Sequence, residues 1–357
     1  MGAGTSRRKL TLQATRLGES RLQRVSRRYR LLGGIGAVAL VAALACALVA
    51  AREALTGWLA AAVMLQSVPL AGLMLLAMMR LIRGEWEATL RPVCEAAARL
   101  WPLAALAFVP VLLGLETIYD WGRDPVTGAL QGGWLGYVQY GVRTTIRFMV
   151  LAIIARSQVG RQASPAASAA GLAVLILGTS VTSLDWLMSL DTGFHSSAFA
   201  PQVVALEFAA GYMVLLITRL LNGPTPARLD VLGALLLTFQ LVWAYLQFMP
   251  VLMLQSGNLP DASSWYDARL QGGWTMATAA VAVLGLGPIF ALLARQVRTR
   301  RGPLLATAGV ALAGKAVEFA WFALPGRGGF AILAYAVALV GIGCIICVRL
   351  APTQEPT

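Results

Sequence analysis

The chain of 357 residues is 58% hydrophobic and 13% charged, with a mean hydropathy of +0.70, about half the charged fraction of a water-soluble domain. Its net charge of +13 is concentrated at the start, where residues 1–30 hold nine Lys/Arg against the single acid Glu19, a pattern that suits an anionic membrane surface and argues against nucleic acid. Those residues contain no apolar core of the signal-peptide kind. Of the four cysteines, Cys344 and Cys347 form a C-x-x-C inside an apolar segment with no histidine after it, which supports neither haem attachment nor a zinc pair.

In chain order, apolar runs long enough to cross a hydrocarbon core of about 30 Å as helices fall at 31–51, 58–80, 100–118, 135–156, 169–190, 200–221, 231–255, 274–295, 303–324 and 329–349. The fold class is therefore an all-α polytopic membrane protein of about ten transmembrane helices. With the N-terminus placed inside, the inner segments carry 22 Lys/Arg and the outer loops 4, namely Arg52, Arg123, Arg269 and Arg327. The positive-inside rule then predicts N- and C-termini in the cytoplasm, in a bacterial inner membrane.

Two outer loops are longer than the rest, 119–133 and 256–273. Each ends in the same pentapeptide, Leu130-Gln131-Gly132-Gly133-Trp134 and Leu270-Gln271-Gly272-Gly273-Trp274. The repeat recurs after four spans, an even number, so the two halves run parallel. The expected organisation is a basic tail (1–30) and a single membrane domain (31–349), followed by a tail (350–357). Within that domain lie peripheral span 1 (31–57), a four-helix bundle of spans 2–5 (58–190), a second of spans 6–9 (200–324), and peripheral span 10 (329–349).

Ionisable side chains inside spans are functional candidates, because each costs roughly 2.5–3.5 kcal/mol at the centre even on a lenient insertion scale. Asp185 stands out, one turn from the end of its span. Glu116, Arg143, Arg147, Glu207, Lys315 and Glu318 complete the set, and the only histidine, His195, follows span 5. Arg143 and Arg147 share a helix face at i,i+4, and Lys315 and Glu318 are able to pair at i,i+3. Arg147 with Asp185, and Lys315 with Glu318, are the expected ion pairs if the charges only hold helices together. Clustering toward the outer half favours a proton half-channel or a polar pocket. Trp243 and Tyr245, with Gln240 and Gln247, are expected to wall that cavity.

The stretches SLDWLMSLD (183–191) and FQLVWAYLQFMPVLMLQSGNLPDASSWY (239–266), followed by PIFALLARQVRTRR (288–301) and VEFAWFALP (317–325), resemble the F-type membrane subunit of alternative complex III, in the polysulfide-reductase/NrfD-like family. The resemblance covers roughly 170–325. It implies two four-helix bundles in a quinol-oxidising complex whose acceptor is cytochrome c or an oxidase. The implied partners are a second NrfD-like membrane subunit, an outer-facing iron–sulfur subunit, c-type cytochrome subunits and a terminal oxidase, with the two long loops as docking elements.

The same resemblance implies that this chain binds no cofactor of its own beyond quinol, haem c and iron–sulfur clusters residing in the partners. Carried over by position, the family's site falls on Asp185, Asp191, Trp243, Tyr245, Trp265 and Tyr266. The chain departs from the family at Thr192-Gly193-Phe194-His195, where Pro-His-Trp is usual and the histidine is displaced. It departs again at Gly285-Leu286-Gly287-Pro288, which lacks a histidine, and at Glu318, usually Asp. These departures rank proton conduction or support above quinol chemistry. From a different class, a stand-alone proton-coupled transporter also fits ten spans with a parallel repeat.

Overall fold

The structure is a computed structural model that describes residues 27, 29–122, 134–160, 163–257 and 260–351, the side chains of 254–263 excepted. Almost all of the basic tail, the first copy of the pentapeptide up to Gly133, and residues 352–357 lie outside the described residues. Among the described residues, ten helices are long and apolar enough to cross a membrane. We number them α1 (Tyr29–Leu48), α2 (Ala51–Leu81), α3 (Trp86–Leu113), α4 (Tyr137–Gln158), α5 (Pro165–Leu190), α6 (Phe199–Leu221), α7 (Leu229–Met253), α8 (Trp274–Leu293), α9 (Arg301–Ala323) and α10 (Gly329–Arg349). All ten expected spans are present.

The largest difference from the expected boundaries is in α3, which starts at Trp86 rather than near residue 100. Its first part, Trp86–Ala98, is amphipathic, with Arg91 bonded to Glu87 and 3.7 Å from Glu95. Those i,i+4 pairs make a helix that a hydropathy window passes over. The helix is then interrupted before Trp101–Ala107 and Val109–Leu113, each with proline in its first turn, where proline's missing N–H costs nothing.

The core is organised around α2. It packs on α3, α4 and α5 within its own bundle, and on α6, α9 and α10 beyond it. The second bundle closes through α6–α7, α7–α8, α8–α9 and α6–α9 contacts. Between the bundles, α5 packs on α6 and α9 packs on α2, so each bundle's last helix touches the other's first.

Glycine lets the two central helices meet. A Cβ on Gly211 of α6 would run into the Ser67 carbonyl and the Ala71 methyl of α2. At the periphery α1 lies on α10, crossing where Gly36 faces Gly341 and Cys344. The outward faces of α1, α3, α4, α7 and α8 expose large apolar residues such as Val38, Leu106, Ile153, Phe248 and Phe290, as helices bordering hydrocarbon must.

The connections α1–α2, α3–α4, α5–α6, α7–α8 and α9–α10 gather at one end, here the Arg327 end. The short helix Pro260–Leu270 lies there, between α7 and α8. Arg80, Arg83, Arg219, Arg228, Arg298 and Arg349 mark the opposite end.

Candidate functional site

Among the described residues, three polar networks are buried between the middle of the bundle and the Arg327 end. At 1.5 Å per residue, Asp185 and Glu318 stand about 8 Å from their helix termini, Glu207 about 12 Å and Arg147 about 15 Å.

In the first network Asp185, fully buried on α5, takes a two-pronged bond from Arg143 on α4, Nε to Oδ2 at 2.6 Å and Nη2 to Oδ1 at 2.8 Å. The indole Nε1 of Trp134 donates to Oδ1 at 2.8 Å, and the Arg143 guanidinium lies 4.2 Å from the centre of the same indole. The expected partner, Arg147, is elsewhere. Both arginines share a face of α4, and the one nearer the helix start meets Asp185 because α4 and α5 run antiparallel. On the Arg327 side of this pair Tyr119 and Tyr140 share a hydrogen bond of 2.9 Å, and Tyr119 donates to the Trp186 carbonyl at 2.9 Å.

The second network crosses the seam between bundles. Arg147 donates from Nη2 to Thr179 Oγ1 at 2.7 Å and to Gln66 Oε1 at 3.3 Å, and Gln66 Nε2 donates to Glu207 Oε2. A cation on α4 thus reaches a carboxylate on α6 through an amide on α2. Glu207 Oε1 and Arg147 Nε are buried with no hydrogen-bonding partner among the described residues. Gly178 leaves the room that the guanidinium fills, since a Cβ there would sit 3.0 Å from Arg147 Nη1.

The third network borders a cavity of about 550 Å³ between α7, α8, α9 and the helix Pro260–Leu270. Glu318 Oε1 accepts from Trp243 Nε1 at 2.8 Å and from Gln247, whose Oε1 in turn accepts from Gln202 at 2.6 Å. Lys315 lies 3.3 Å from Glu318 Oε2, the i,i+3 pair expected from their spacing, and its ammonium sits over the Trp243 ring, 2.8 Å from the centre. Trp243 packs against α8 at Gly285, where any Cβ would overlap its indole. In this chain the position needs glycine because the tryptophan occupies the space beside it. Gln202, Tyr266 and Trp321 complete the polar end of the cavity; Phe248, Val251 and Leu286, exposed on the bundle's flank, form its apolar mouth.

Tyr245 is not part of this wall. It is 61% exposed and outside the cavity lining, because two residues beyond Trp243 is about 200° around a helix. His195 is exposed in the turn between α5 and α6. Asp191, also exposed there, accepts the Gly193 N–H at 3.0 Å. It borders a polar cleft of about 620 Å³ with Arg52, Asp120, Arg269 and Arg327.

Arg52 pairs with Asp120 at 2.6 Å, and Arg327 donates to the Leu190 carbonyl at 2.8 Å. Burial, and then the neighbouring Arg52, draw the Arg327 guanidinium below its ordinary range. The structure thus gathers most of the candidate residues in four places, Arg143 with Asp185, Arg147 linked through Gln66 to Glu207, Lys315 and Trp243 with Glu318, and Asp191 on the cleft, and leaves Tyr245 and His195 outside them. Gln66 and Gln202 were missed; each is a lone amide in an apolar helix, and that was the signal. No family model matches this chain, and no curated protein matches it.

Proposed function

We propose that this chain is an integral membrane subunit of a quinol-oxidising respiratory complex of the alternative-complex-III kind, and that the cavity beside Glu318 receives the quinol head group. The observation that carries the reading is the shape and chemistry of that cavity. Its volume of about 550 Å³ falls in the range of small-molecule sites. Its inner end offers a carboxylate, two amides and a phenol; its flank at Phe248, Val251 and Leu286 is apolar and opens where the lipid tails would be, and the exposed Asp267 lies on its rim. A ring with polar edges and a long apolar tail fits both ends.

This places quinol binding above the ranking that the missing histidines suggest, because Glu318 supplies a proton acceptor without one. Lys315 Nζ lies 3.3 Å from Glu318 Oε2, and in this reading the Glu318 carboxyl group is the one that takes a hydroxyl proton. Oxidation of the quinol releases two protons and two electrons. One proton goes to Glu318 and the other to water, and the two electrons leave to a redox centre in a partner subunit. The excess of basic residues at the Arg228 end supports termini in the cytoplasm of a bacterial inner membrane. The cleft at the Arg327 end would then face the outer partners.

The test is purification of the tagged chain in mild detergent with a visible spectrum of the eluate. Haem c bands and an iron–sulfur partner are the expected result, and a colourless single band overturns the subunit reading. That outcome would promote a proton-coupled transporter, for which the Glu207–Gln66–Arg147 link across the seam is the favouring observation.

A further inference from the structure

Two hollows meet at the Arg327 end, and one thin partition separates them. On one side is the cavity that reaches Glu318, lined there by Tyr266 and Trp321; on the other is the polar cleft, lined by Trp265, Arg269 and Phe322. The partition is built from the last turns of the helix Pro260–Leu270 and the end of α9. Its rings are tightly set, with Trp265 and Trp321 at 5.4 Å between centres, nearly perpendicular, and Trp265 and Tyr266 at 4.8 Å.

Arg269 runs through this partition. It is 5% exposed, and among the described residues no carboxylate lies within ion-pair distance of it. Instead Nη1 donates to the Trp265 carbonyl at 2.6 Å, Nε to the Trp321 carbonyl at 3.0 Å, and Nη2 to the Phe322 carbonyl at 2.9 Å. The last two carbonyls belong to the end of α9, where the helix dipole favours a cation. The guanidinium lies 3.2 Å from the centre of the Trp265 ring and 5.3 Å from that of Trp321, within cation–π range of both. Glu318 stands on the turn of α9 just before those carbonyls, so the residue that anchors the short helix also anchors the segment presenting the carboxylate.

We propose that Arg269 is a positioning residue that fixes the helix Pro260–Leu270 onto the end of α9 and so seals the membrane cavity from the polar cleft. A planar fork with several donors suits three carbonyls and two ring faces at once, which a lysine ammonium does not. The seal directs a ligand to enter from the lipid side and keeps water of the cleft away from Glu318. Its functional meaning rests on the quinol reading; its physical content does not.

The experiment is thiol accessibility of the full chain in lipid nanodiscs, with Cys46, Cys94, Cys344 and Cys347 replaced by alanine. The probe is a charged, membrane-impermeant methanethiosulfonate. Ala244→Cys reports the cavity and Ala268→Cys the cleft. With Arg269 present, Ala244→Cys is expected to react roughly tenfold more slowly than Ala268→Cys, or slower still, because only local opening exposes it. Arg269→Ala brings the two rates together, and Arg269→Lys gives an intermediate rate. Equal rates with Arg269 in place overturn the proposal, and this comparison needs no Arg269 variant to fold. An unchanged slow rate in Arg269→Lys also overturns it. A short-chain quinone analogue that fails to protect Ala244→Cys defeats the quinol reading alone and leaves the seal standing.

Discussion

Replacing Asp185 by alanine tests which arginine the buried carboxylate serves. The side chain is fully buried and accepts three bonds of 2.6–2.8 Å, two from Arg143 and one from Trp134. Removing one partner of a buried pair costs about 3–5 kcal/mol, most of it from the charge left behind. Arg143 retains 18% side-chain exposure, so water relieves part of that cost, and about 3 kcal/mol is expected. At roughly 2.1 cal/mol/K of unfolding entropy per residue, 1 kcal/mol moves the melting temperature of a chain of 357 residues by about 1.3 °C, so a fall of about 4 °C is expected, read by tryptophan fluorescence in detergent. A double-mutant cycle then assigns the partner. Asp185→Ala with Arg143→Ala should show a coupling of about 2 kcal/mol, and Asp185→Ala with Arg147→Ala less than about 0.5 kcal/mol. Larger coupling to Arg147 than to Arg143 would refute the assignment of the pair.

Gly211→Ala forces a methyl into the Ser67 carbonyl and Ala71 and should cost at least roughly 1–3 kcal/mol. Gly309→Ala on α9, where nothing lies within 4 Å, should be neutral or stabilise by up to about 1 kcal/mol; the pair is compared by thermal unfolding. Glu318→Ala strands the buried Lys315 ammonium and should cost about 3–5 kcal/mol, while adding Lys315→Met recovers most of it. Binding of a quinone analogue, measured by fluorescence quenching, should be lost in both. Tyr245→Ala, at a position exposed on the flank, should leave that binding unchanged and stability within about 0.5 kcal/mol.

The seal at Arg269, read as the ratio of the Ala244→Cys rate to the Ala268→Cys rate, should be insensitive to pH between 6 and 8, since the rise in thiolate fraction with pH is common to both thiols. Burial draws the guanidinium down to about 9, so the desolvation cost of its charge is constant at all lower pH and eases only as pH rises past that value. Burial also pushes the Tyr266 phenol up, which keeps it neutral throughout that window. A ratio of the two rates that changes severalfold between pH 6 and 8 would place another titrating group in the partition.

What the sequence made legible divides by range. The ten spans were readable because hydropathy is a local property, and the Lys315–Glu318 pair because three residues along a helix fix their contact. Trp86–Ala98 escaped because its surface ion pairs dilute the apolar signal. The partner of Asp185 was not readable: Arg143 and Arg147 share a face, and only the vertical register of α4 against α5 separates them. Tyr245 was readable in principle, since Gln240, Trp243 and Gln247 fall on one face by spacing and Tyr245 falls opposite. The Arg269 partition was not readable at all, because three of its contacts are backbone carbonyls, which no side-chain pattern announces.

The placement of α2 bears on how the molecule is made. Its buried surface is completed by α6, α9 and α10, which leave the ribosome about 120 to 300 residues after it; at roughly 5–20 residues per second that is a wait of many seconds. During that time α2 sits in lipid or beside the insertion machinery with its Gln66 amide unmatched, since both Glu207 and Arg147 are synthesised later. The first bundle therefore does not finish folding before the second exists. A chain severed in the α6–α7 connection should mature only when both fragments share one membrane, and either fragment alone should be degraded.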